Sequence, residues 1–262
     1  YSFEKDRNIN MLFNERSAII LEQLQLRSSV KTSELTALLG VSVDTVRRDL
    51  KTMEQNGIIK YLRGGACLPE TVSAFDNFGG REVINIELKR CAALKALNYI
   101  KPDGIIALNS GTTNTILAQE IVKRFDNITV ITNNIAVLNV LMQKPTIKVI
   151  VPGGFLDSTE KSLYGYQCEQ EIGRFFPDVC FLSINAFNHT DGFTDFRFNE
   201  MGIIQILASN SKEVIAVMDS SKLGKRSKEK LFDYGCVDRL IMDDNISDKT
   251  RKLYFDNGIS IE

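Results

Sequence analysis

The spacing of apolar residues between positions 32 and 66 predicts two short helices followed by a hairpin. Apolar residues recur at helical intervals, which gives the first helix a predicted buried stripe of Leu35, Leu38 and Leu39 and the second a stripe of Val43, Val46, Leu50 and Met53. Between the stripes, Gly40 suits the end of a helix, Val41 fills the corner and Ser42 can cap the next helix. This pattern is typical of a helix-turn-helix.

The second of these helices has a polar face that the apolar stripe leaves free. A helical period places Asp44, Thr45, Arg47, Arg48 and Lys51 on it. Thr45 and the two arginines can reach bases or phosphates, and an arginine on the O6/N7 edge of guanine contributes about 1–3 kcal/mol of base discrimination. Lys51 is expected to contact a phosphate. We expect the helix to end at Gly57.

A basic hairpin is predicted directly after the second helix. A strand is indicated by Ile58, Ile59, Tyr61 and Leu62, and Gly64 with Gly65 favours a tight turn. Lys60 and Arg63 would then lie on a wing beside the helix-turn-helix. The alternative is a helical hairpin on a protein-binding module, with its arginines solvated. The basic wing and its paired glycines favour DNA as the partner.

Short runs rich in Val and Ile alternate with helical stretches through the rest of the chain. These runs occupy residues 104–108, 128–132, 146–151, 179–184, 213–219 and 238–244. Continuous apolar strands separated by helices are buried on both faces, so we predict a mainly parallel α/β sheet. In such sheets, ligands bind beyond the carboxyl ends of the strands.

The loop after the first of these runs is a candidate anion site. It consists of Asn109, Ser110, Gly111, Thr112 and Thr113. Small residues bring backbone N–H groups close to a helix N-terminus, which favours a phosphate, although the same residues also suit an ordinary helix cap with no ligand. The next two strands end in further polar or small residues, Thr132, Asn133 and Asn134 and then Gly153 and Gly154. These repeated strand ends favour a pocket.

Charge is nearly balanced over the whole chain. The 262 residues include 32 Lys and Arg against 33 Asp and Glu, for a formal net charge of -1. DNA binding must therefore rest on a local cluster and not on global charge. The candidates for this cluster are Arg47, Arg48, Lys51, Lys60 and Arg63.

Composition narrows the class of protein further. Hydrophobic residues make up 44% of the chain, which is enough for a substantial core. The five cysteines include no CxxC pair and there is one His, so we expect neither a disulfide scaffold nor a structural zinc. No apolar run approaches the roughly 20 residues of a membrane span. We expect a cytoplasmic protein with no membrane partner.

The segment GVSVDTVRRDLKTMEQNGIIKYLRGGA at residues 40–66 resembles the DNA-binding signature of the DeoR family of bacterial transcription regulators. The resemblance continues through NSGTT, ITNN, VPGG, DGFTDF and VMDSSKLGK, and covers nearly all of the chain from Met11 onward. It implies a winged helix-turn-helix with a first helix at about residues 15–26 and the motif itself at about residues 30–49. The predicted DNA-binding set is Ser42, Val43, Thr45, Arg47, Arg48, Lys51, Lys60, Arg63 and Gly64.

The resemblance also implies a role for the second domain, which in this family looks like the ribose-5-phosphate isomerase fold and commonly senses a phosphorylated sugar. Carried over by position, Ser110, Gly111, Thr112 and Thr113 would hold the phosphate, and Thr132, Asn133, Asn134, Gly153 and Gly154 would line the pocket. Lys222 would add positive charge, or could equally be a solvated loop lysine. We expect a repressor of a carbohydrate-utilisation operon, acting on double-stranded DNA as a dimer or tetramer, with no cofactor and no metal.

The sequence departs from the family pattern at several positions. Arg63 stands where the family commonly has His, Asn109 where it usually has Asp, and Ile204 or Gln205 where it usually has Lys. The run after residue 184 is usually rich in glycine and is here Asn185, Ala186, Phe187, Asn188 and His189. By default His189 is expected in a surface loop. The departures from Asn109 onward concern the predicted contacts to the sugar phosphate.

The rival hypothesis is an enzyme, a sugar-phosphate isomerase with an accessory DNA-binding domain, because a fold alone does not fix function. Isomerisation through an enediol needs a carboxylate or similar base, and Asn109 cannot be that base. Asp191, Asp195, Glu200 and Asp219 are candidates, but they form no recognisable acid–base arrangement. The DNA-binding motif favours a regulator that is not an enzyme.

Four segments are predicted along the chain. Residues 1–10 are polar and unpatterned, and we expect an extension or a segment foreign to the natural protein, with Met11 as the natural start. Residues 11–68 form the winged helix-turn-helix domain. A turn-rich run favours a linker over residues 69–84, and residues 85–262 form the sensing and oligomerisation domain.

Overall fold

The computed structural model describes residues 11–27, 29–56, 58–62, 64–68 and 78–262. Four predictions fall wholly or partly outside these ranges: the extension at residues 1–10, the helix end at Gly57, the position of Arg63 on the wing and residues 69–77 of the linker. The chain divides into two compact units, residues 1–86 and residues 87–262.

The first unit is a winged helix. Its elements are α1 (Phe13–Arg27), β1 (Ser29–Lys31), α2 (Thr32–Leu39), α3 (Val43–Gln55), β2 (Lys60–Leu62), β3 (Gly65–Cys67) and α4 (Phe78–Val83). The three strands form an antiparallel sheet in the order β1-β3-β2. The core consists of Ile20, Leu24, Val30, Leu35, Leu39, Val46, Leu50, Met53, Ile59 and Ala66.

The turn between α2 and α3 follows the sequence prediction. Gly40 ends α2 with a φ of 63° and donates its N–H to the Thr36 carbonyl. Two predicted stripe residues, however, are not buried: Leu38 is 49% exposed and Val43 is 41% exposed. Leu38 lies off the line that joins buried Leu35 to buried Leu39, and Val43 begins its helix one turn before the packed residues. The expectation that both are buried was wrong.

Part of the predicted linker is helical. Helix α4 lies within residues 69–84, its Phe78 is buried, and the Ser29 hydroxyl on β1 donates to the Gly79 carbonyl at 2.9 Å. Two adjacent glycines lower helix propensity in this segment, so propensity alone does not predict a helix there. Packing against the sheet stabilises it.

The second unit is built on a six-stranded parallel sheet in the order β14-β12-β9-β4-β5-β6. The strands are β4 (Ile105–Leu108), β5 (Thr129–Thr132), β6 (Lys148–Ile150), β9 (Val179–Leu182), β12 (Val214–Met218) and β14 (Arg239–Met242). The helices are α5 (Ile86–Ala96), α6 (Thr112–Arg124), α7 (Ile135–Leu141), α8 (Tyr166–Ile172), α9 (Met201–Asn210) and α10 (Asp248–Asp256). All six predicted runs form this sheet, and the predicted fold class is confirmed.

Two smaller antiparallel sheets were not predicted. One pairs β7 (Phe155–Asp157) with β8 (Ser162–Tyr164), and the other joins β10 (Ala186–Asn188), β11 (Gly192–Asp195) and β13 (Glu229–Phe232). Central strand β4 lies between β5 and β9, so the loops after these three strands meet at one edge of the main sheet.

Across the described ranges, no helix combines the length and the apolar character needed to cross a bilayer.

Candidate DNA-binding face and sensor site

Helix α3 presents its basic residues to solvent. The Ser42 hydroxyl accepts a hydrogen bond from the Thr45 N–H at 3.1 Å and lies 2.8 Å from the Thr45 hydroxyl, so Ser42 caps the helix as predicted. Arg47, Arg48 and Lys51 are exposed on the turns that follow. The structure therefore places these predicted DNA-binding residues on one accessible helix.

The basic side chains on the exposed face of α3 form few ion pairs. Arg47 Nη1 lies 3.4 Å from Asp44 Oδ1, and both side chains are largely exposed. An exposed pair of this kind contributes about 0–1 kcal/mol, so Arg47 can exchange Asp44 for a base or a phosphate at little cost. Among the described residues, Arg48 and Lys51 form no ion pair. Their charges remain available to a partner.

The wing is a tight hairpin beside α3. Leu62 on β2 faces Gly65 on β3, and Gly64 lies in the turn between them with a φ of 112°. Lys60 is exposed on β2. The carboxylate of Glu54, in the last turn of α3, accepts a hydrogen bond from the Tyr61 N–H at 3.0 Å. This bond ties the end of the helix to the wing.

The opposite side of α3 is tied to α1 by an ion pair that sequence reasoning missed. Arg16 donates from Nε to Asp49 Oδ2 at 2.6 Å and from Nη2 to Asp49 Oδ1 at 2.9 Å. Arg16 also donates to the Met11 carbonyl. The hydrogen bond and charge of Asp49 raise the pKa of Arg16 and keep it cationic. No local pattern could have indicated this contact, since its residues lie 33 positions apart.

At the carboxyl end of β4, Asn109 joins two neighbouring strand ends. Its Oδ1 accepts a hydrogen bond from the Ser183 N–H at 2.7 Å, and its Nδ2 donates to the Ser183 carbonyl at 3.1 Å. The Oδ1 also accepts from Asn114 Nδ2 at 2.9 Å. A carboxylate has no donor for the Ser183 carbonyl, so an amide suits this position. The side chain of Asn109 is fully buried and used within the protein.

Ser110 is joined to the end of β5. Its N–H donates to Asn133 Oδ1 at 3.0 Å, and Asn134 Nδ2 lies 3.4 Å from its hydroxyl oxygen. Asn133 also donates from Nδ2 to the Leu163 carbonyl at 3.0 Å. All three predicted effector residues are buried. The structure therefore brings the ends of β4 and β5 together as one polar cluster.

Thr132 and Asn134 shape the start of α7. The Asn134 carbonyl oxygen Oδ1 accepts from the N–H groups of Ala136 at 2.7 Å and Val137 at 3.1 Å, which caps the helix. The Thr132 hydroxyl accepts from the Asn134 N–H at 3.1 Å. These contacts are those of an ordinary helix cap, so both residues have a structural role whether or not they touch a ligand.

The N-terminus of α6 consists of the cap residue Gly111 followed by Thr112 and Thr113. Gly111 has a φ of 148°, and a Cβ added there would lie 2.3 Å from the Ser183 hydroxyl oxygen, so the position requires glycine. Thr112 and Thr113 are buried. Within the described part of the chain, the Thr113 hydroxyl has no hydrogen-bond partner. This is a buried polar group that a ligand could satisfy.

Gly153 and Gly154 contact a different part of the unit, whereas Lys222 lies close to Ser183 and its charge acts on Asp195. The Gly153 N–H donates to Glu171 Oε2 on α8 at 2.7 Å, and a Cβ at Gly154 would lie 2.6 Å from the Tyr164 carbonyl on β8. Lys222 Nζ donates to the Ile184 carbonyl at 3.0 Å. Gly153 and Gly154 therefore face α8 and β8, while Lys222 is bound at the end of β9.

A buried charge cluster lies against Ser110. Arg197 donates to its neighbour Asp195 from Nε at 2.9 Å and from Nη2 at 2.6 Å. Its Nη2 also reaches the Ser183 carbonyl at 2.7 Å, and its Nη1 donates to the Ser110 carbonyl. Glu200 completes the cluster, with Oε2 3.7 Å from Arg197 Nη1. The sequence analysis considered Asp195 and Glu200 as candidate catalytic bases and missed Arg197, although three charges within six residues were a usable signal.

The pKa values within this cluster diverge. Burial pushes the pKa of Asp195 up, but the charge and hydrogen bonds of Arg197 outweigh it and leave the pKa below its ordinary value. For Glu200, burial dominates over the attraction of Arg197 and raises the pKa. Burial alone would lower the pKa of Arg197, but its carboxylate neighbours raise it. The shifts of Asp195 and Arg197 are those of a buried ion pair.

Of the residues that depart from the family pattern, Asn109 and Asn185 contact these clusters, since the Asn185 N–H donates to Asp195 Oδ2 at 3.0 Å, whereas the others lie on the surface or in the core. Ile204 is fully buried in the hydrophobic core, and Gln205 beside it is exposed. His189 is exposed in the turn between β10 and β11, with its ring 5.8 Å from the ring of Tyr254. Phe187 packs against Phe193 with ring centroids 4.3 Å apart. The bulky run at 185–189 thus supplies a strand and core contacts.

Within the described ranges, no group of three or more His, Cys, Asp or Glu side chains is placed to hold a metal ion.

The winged helix and the parallel α/β unit together define a DNA-binding regulator with a separate second domain. Family comparisons give the same division. A model described as the DeoR-like helix-turn-helix domain matches residues 16–72, and one described as the DeoR C terminal sensor domain matches residues 84–244. The chain belongs to the DeoR family of transcriptional regulators.

Relatives extend over almost the whole chain. The HTH-type transcriptional regulator GolR of Listeria innocua is 32% identical over 248 residues, which is 95% of this chain and 97% of that protein. The glycerol-3-phosphate regulon repressor of Escherichia coli is 27% identical over 93% of this chain and 96% of that protein. Among solved structures, ribose 5-phosphate isomerase A from Neisseria gonorrhoeae matches with a TM-score of 0.41 and 18% identity, over 54% of this chain and 55% of that one.

Proposed function

We propose that this chain represses a carbohydrate-utilisation operon and that a phosphorylated sugar, bound by the α/β unit, changes its affinity for DNA. The observation that carries this proposal is the buried polar cluster at the ends of β4 and β5, in a chain whose other unit exposes a basic recognition helix. The naming of a relative as a glycerol-3-phosphate regulon repressor supports a phosphorylated polyol as the effector class.

On the DNA side, we assign base contacts to Thr45, Arg47 and Arg48 and phosphate contacts to Lys51 and Lys60. The exposure of the basic side chains and the weak Asp44 pair support this division. Ser42, Val43, Arg63 and Gly64 complete the proposed interface. Because the net charge of the chain is -1, these few cations must supply most of the counterion release on binding.

On the effector side, we assign the phosphate to the start of α6, where the N–H groups of Thr112 and Thr113 and the helix dipole favour an anion. Ser110, Asn133 and Asn134 lie beside this helix start. The contacts of Asn109 with Ser183 support a positioning role for Asn109 and not direct contact with the effector.

We further propose that the chain acts as a homo-oligomer, a dimer or a tetramer. Each chain carries one recognition helix, and paired helices bind half-sites about 34–36 Å apart, or multiples of that spacing. An effector controls such a protein only if it binds the two arrangements with different affinity. The proposed control therefore acts on the spacing of the DNA-binding units.

The hydrogen bonds of the buried carboxylates favour a regulator over an isomerase. Asp195 accepts two hydrogen bonds from the Arg197 side chain, and this pairing lowers its pKa and makes it a poor general base. The hydroxyl of Ser162 donates to the Oε1 of Glu200 at 2.8 Å. We therefore infer that these carboxylates stabilise the domain and its ligand site.

The test combines DNA selection with ligand binding on the full chain. Duplexes selected from a randomised pool are expected to share a repeated half-site, and their affinity should fall when one sugar phosphate is added. The panel includes hexose 6-phosphates, pentose 5-phosphates and glycerol 3-phosphate, each also tested for isomer formation. Selection of no shared sequence, or DNA affinity unaffected by every compound, contradicts the proposal, and turnover of a compound supports the enzyme.

A further inference from the structure

Two buried polar atoms face each other across a short gap in the charge cluster. Arg197 uses four of its five N–H groups, on the Asp195 carboxylate twice and on the carbonyls of Ser183 and Ser110. The remaining N–H belongs to Nη1. Opposite it is Glu200 Oε2, which has no hydrogen-bond partner among the described residues although Glu200 is only 2% exposed.

The gap is too wide for a direct hydrogen bond. Arg197 Nη1 and Glu200 Oε2 are 3.7 Å apart, whereas hydrogen bonds of this kind are about 2.7–2.9 Å long. Two such bonds meeting at one oxygen at a tetrahedral angle span roughly 4.5 Å. A displacement of the Glu200 carboxylate by less than about 1 Å therefore admits one oxygen atom between them.

The two sides of the gap require different hydrogen-bonding partners. The guanidinium needs an acceptor, and the carboxylate needs a donor. A hydroxyl group is both at once, whereas a phosphate ester oxygen only accepts. Three buried carboxyl groups, those of Asp195, Glu160 and Glu200, lie near Arg197 and further disfavour an anion at this point.

We propose that Arg197 and Glu200 bind one hydroxyl group of the effector and thereby select a polyol of defined stereochemistry. The proposal rests on the proposed function in one respect, that the α/β unit binds a sugar or polyol effector. In the bound ligand, the phosphate would lie at the start of α6 and the selected hydroxyl at the Arg197–Glu200 gap. Glu200 is the residue that precedes α9, so filling the gap also displaces the start of that helix.

The experiment measures affinity for matched ligands in the parent chain and in Glu200→Gln. The ligands are the sugar phosphates of the panel, analogues that each lack one hydroxyl, and the corresponding free sugars and hexitols. In the parent, one deoxy analogue is expected to bind at least about tenfold more weakly than its hydroxylated counterpart. In Glu200→Gln that ratio is expected to fall towards one, while the affinity for inorganic phosphate is unchanged.

The control is Glu213→Gln, which changes another carboxylate paired to an arginine, with Arg239 Nε 2.6 Å from Glu213 Oε1 at the opposite end of β12. Glu213→Gln should keep the full ratio between the affinity for the hydroxylated ligand and the affinity for its deoxy analogue. Should Glu200→Gln fail to fold, Glu200→Asp shortens the side chain and is expected to reduce the same ratio. Equal binding of every deoxy analogue by the parent overturns the proposal while leaving the sensing function intact.

Binding of the free sugars and hexitols distinguishes failure of the hydroxyl site from failure of the proposed sugar-phosphate function. If no sugar phosphate binds but a hexitol stabilises the parent and not Glu200→Gln, the hydroxyl site stands and the proposed phosphate ligand is wrong. If neither class binds, both proposals fail. A large rise in the affinity of Glu200→Gln for inorganic phosphate would place the anion in the gap and overturn the hydroxyl assignment.

Discussion

Arg16 on α1 and Asp49 on α3 form a two-point ion pair, with N···O distances of 2.6 and 2.9 Å. Asp49 is nearly buried on the inner side of the helix whose outer side carries Arg47 and Arg48. A bidentate pair fixes the angle between the guanidinium plane and the carboxylate plane as well as the distance between the two groups. The rotation of α3 is therefore set by a residue on its inner side, opposite the proposed DNA-binding face.

Asp49→Asn should destabilise the winged helix by about 2 kcal/mol, because an amide nitrogen would face the Arg16 donors in place of a carboxylate oxygen. The control, Asp44→Asn, changes an exposed carboxylate on the same helix and should alter stability by less than about 0.5 kcal/mol. Urea unfolding followed by circular dichroism compares them, since the chain has no Trp. Equal stability of the two variants would contradict the assigned role of the pair.

Arg47→Ala and Lys51→Ala should affect DNA binding in different ways. Loss of Arg47 should relax sequence preference, whereas loss of Lys51 should weaken all duplexes about equally and lower the salt slope by about 0.9 if one phosphate contact is lost. Salt titrations on a selected duplex and on a scrambled duplex separate these effects. Unchanged binding by both variants would rule out α3 as the recognition helix.

Asp195→Asn should lose stability in a way that depends on pH. Because the folded pKa of Asp195 lies below its unfolded value, its contribution is present above the unfolded pKa and is lost as pH falls through the folded pKa. Removing one partner of a buried pair costs about 3–5 kcal/mol near pH 7. The difference in unfolding free energy between parent and variant should therefore shrink towards acid pH. A difference that stays constant from pH 7 to pH 3 would contradict the ion pair.

Thr112→Val should reduce the thermal stabilisation produced by the effector, because it removes the Thr112 hydroxyl and keeps the backbone N–H, and it should leave the unliganded protein folded, since Val fills the same volume as Thr. Thr113→Val removes a buried hydroxyl that has no partner in the described residues, so the unliganded Tm should not fall. Thermal unfolding with and without the sugar phosphate panel measures both effects. If no compound raises the Tm of the parent, the sensing proposal loses its support.

Local signals were sufficient to predict much of the fold. The left-handed conformation of Gly40, the Ser42 cap and the apolar runs of the parallel sheet each depend on residues close in sequence. The five short strands β7, β8, β10, β11 and β13 were not predicted, since three or four residues carry too little alternation to reveal a strand.

The site was less predictable because its contacts span long stretches of chain. Ser110 was recognised as a loop residue, but its bonds to Asn133 and Arg197 depend on which strands are neighbours. Asn109 was judged by the residue it replaces, and only its pairing with Ser183, 74 positions away, explains the amide. Sequence indicates which residues are chemically suitable, and the sheet order decides which of them meet.

The hydrogen bond between Glu54 and Tyr61 has a consequence for the thermodynamics of DNA binding. With Asp49 held by Arg16 and Glu54 held by the wing strand, α3 is secured on two sides before any DNA arrives. If α3 enters a DNA groove as proposed, little conformational entropy then remains to be lost. A preorganised helix of this kind gives association a small ordering penalty, and under the proposed function it leaves the spacing of the DNA-binding units as the property that an effector would adjust.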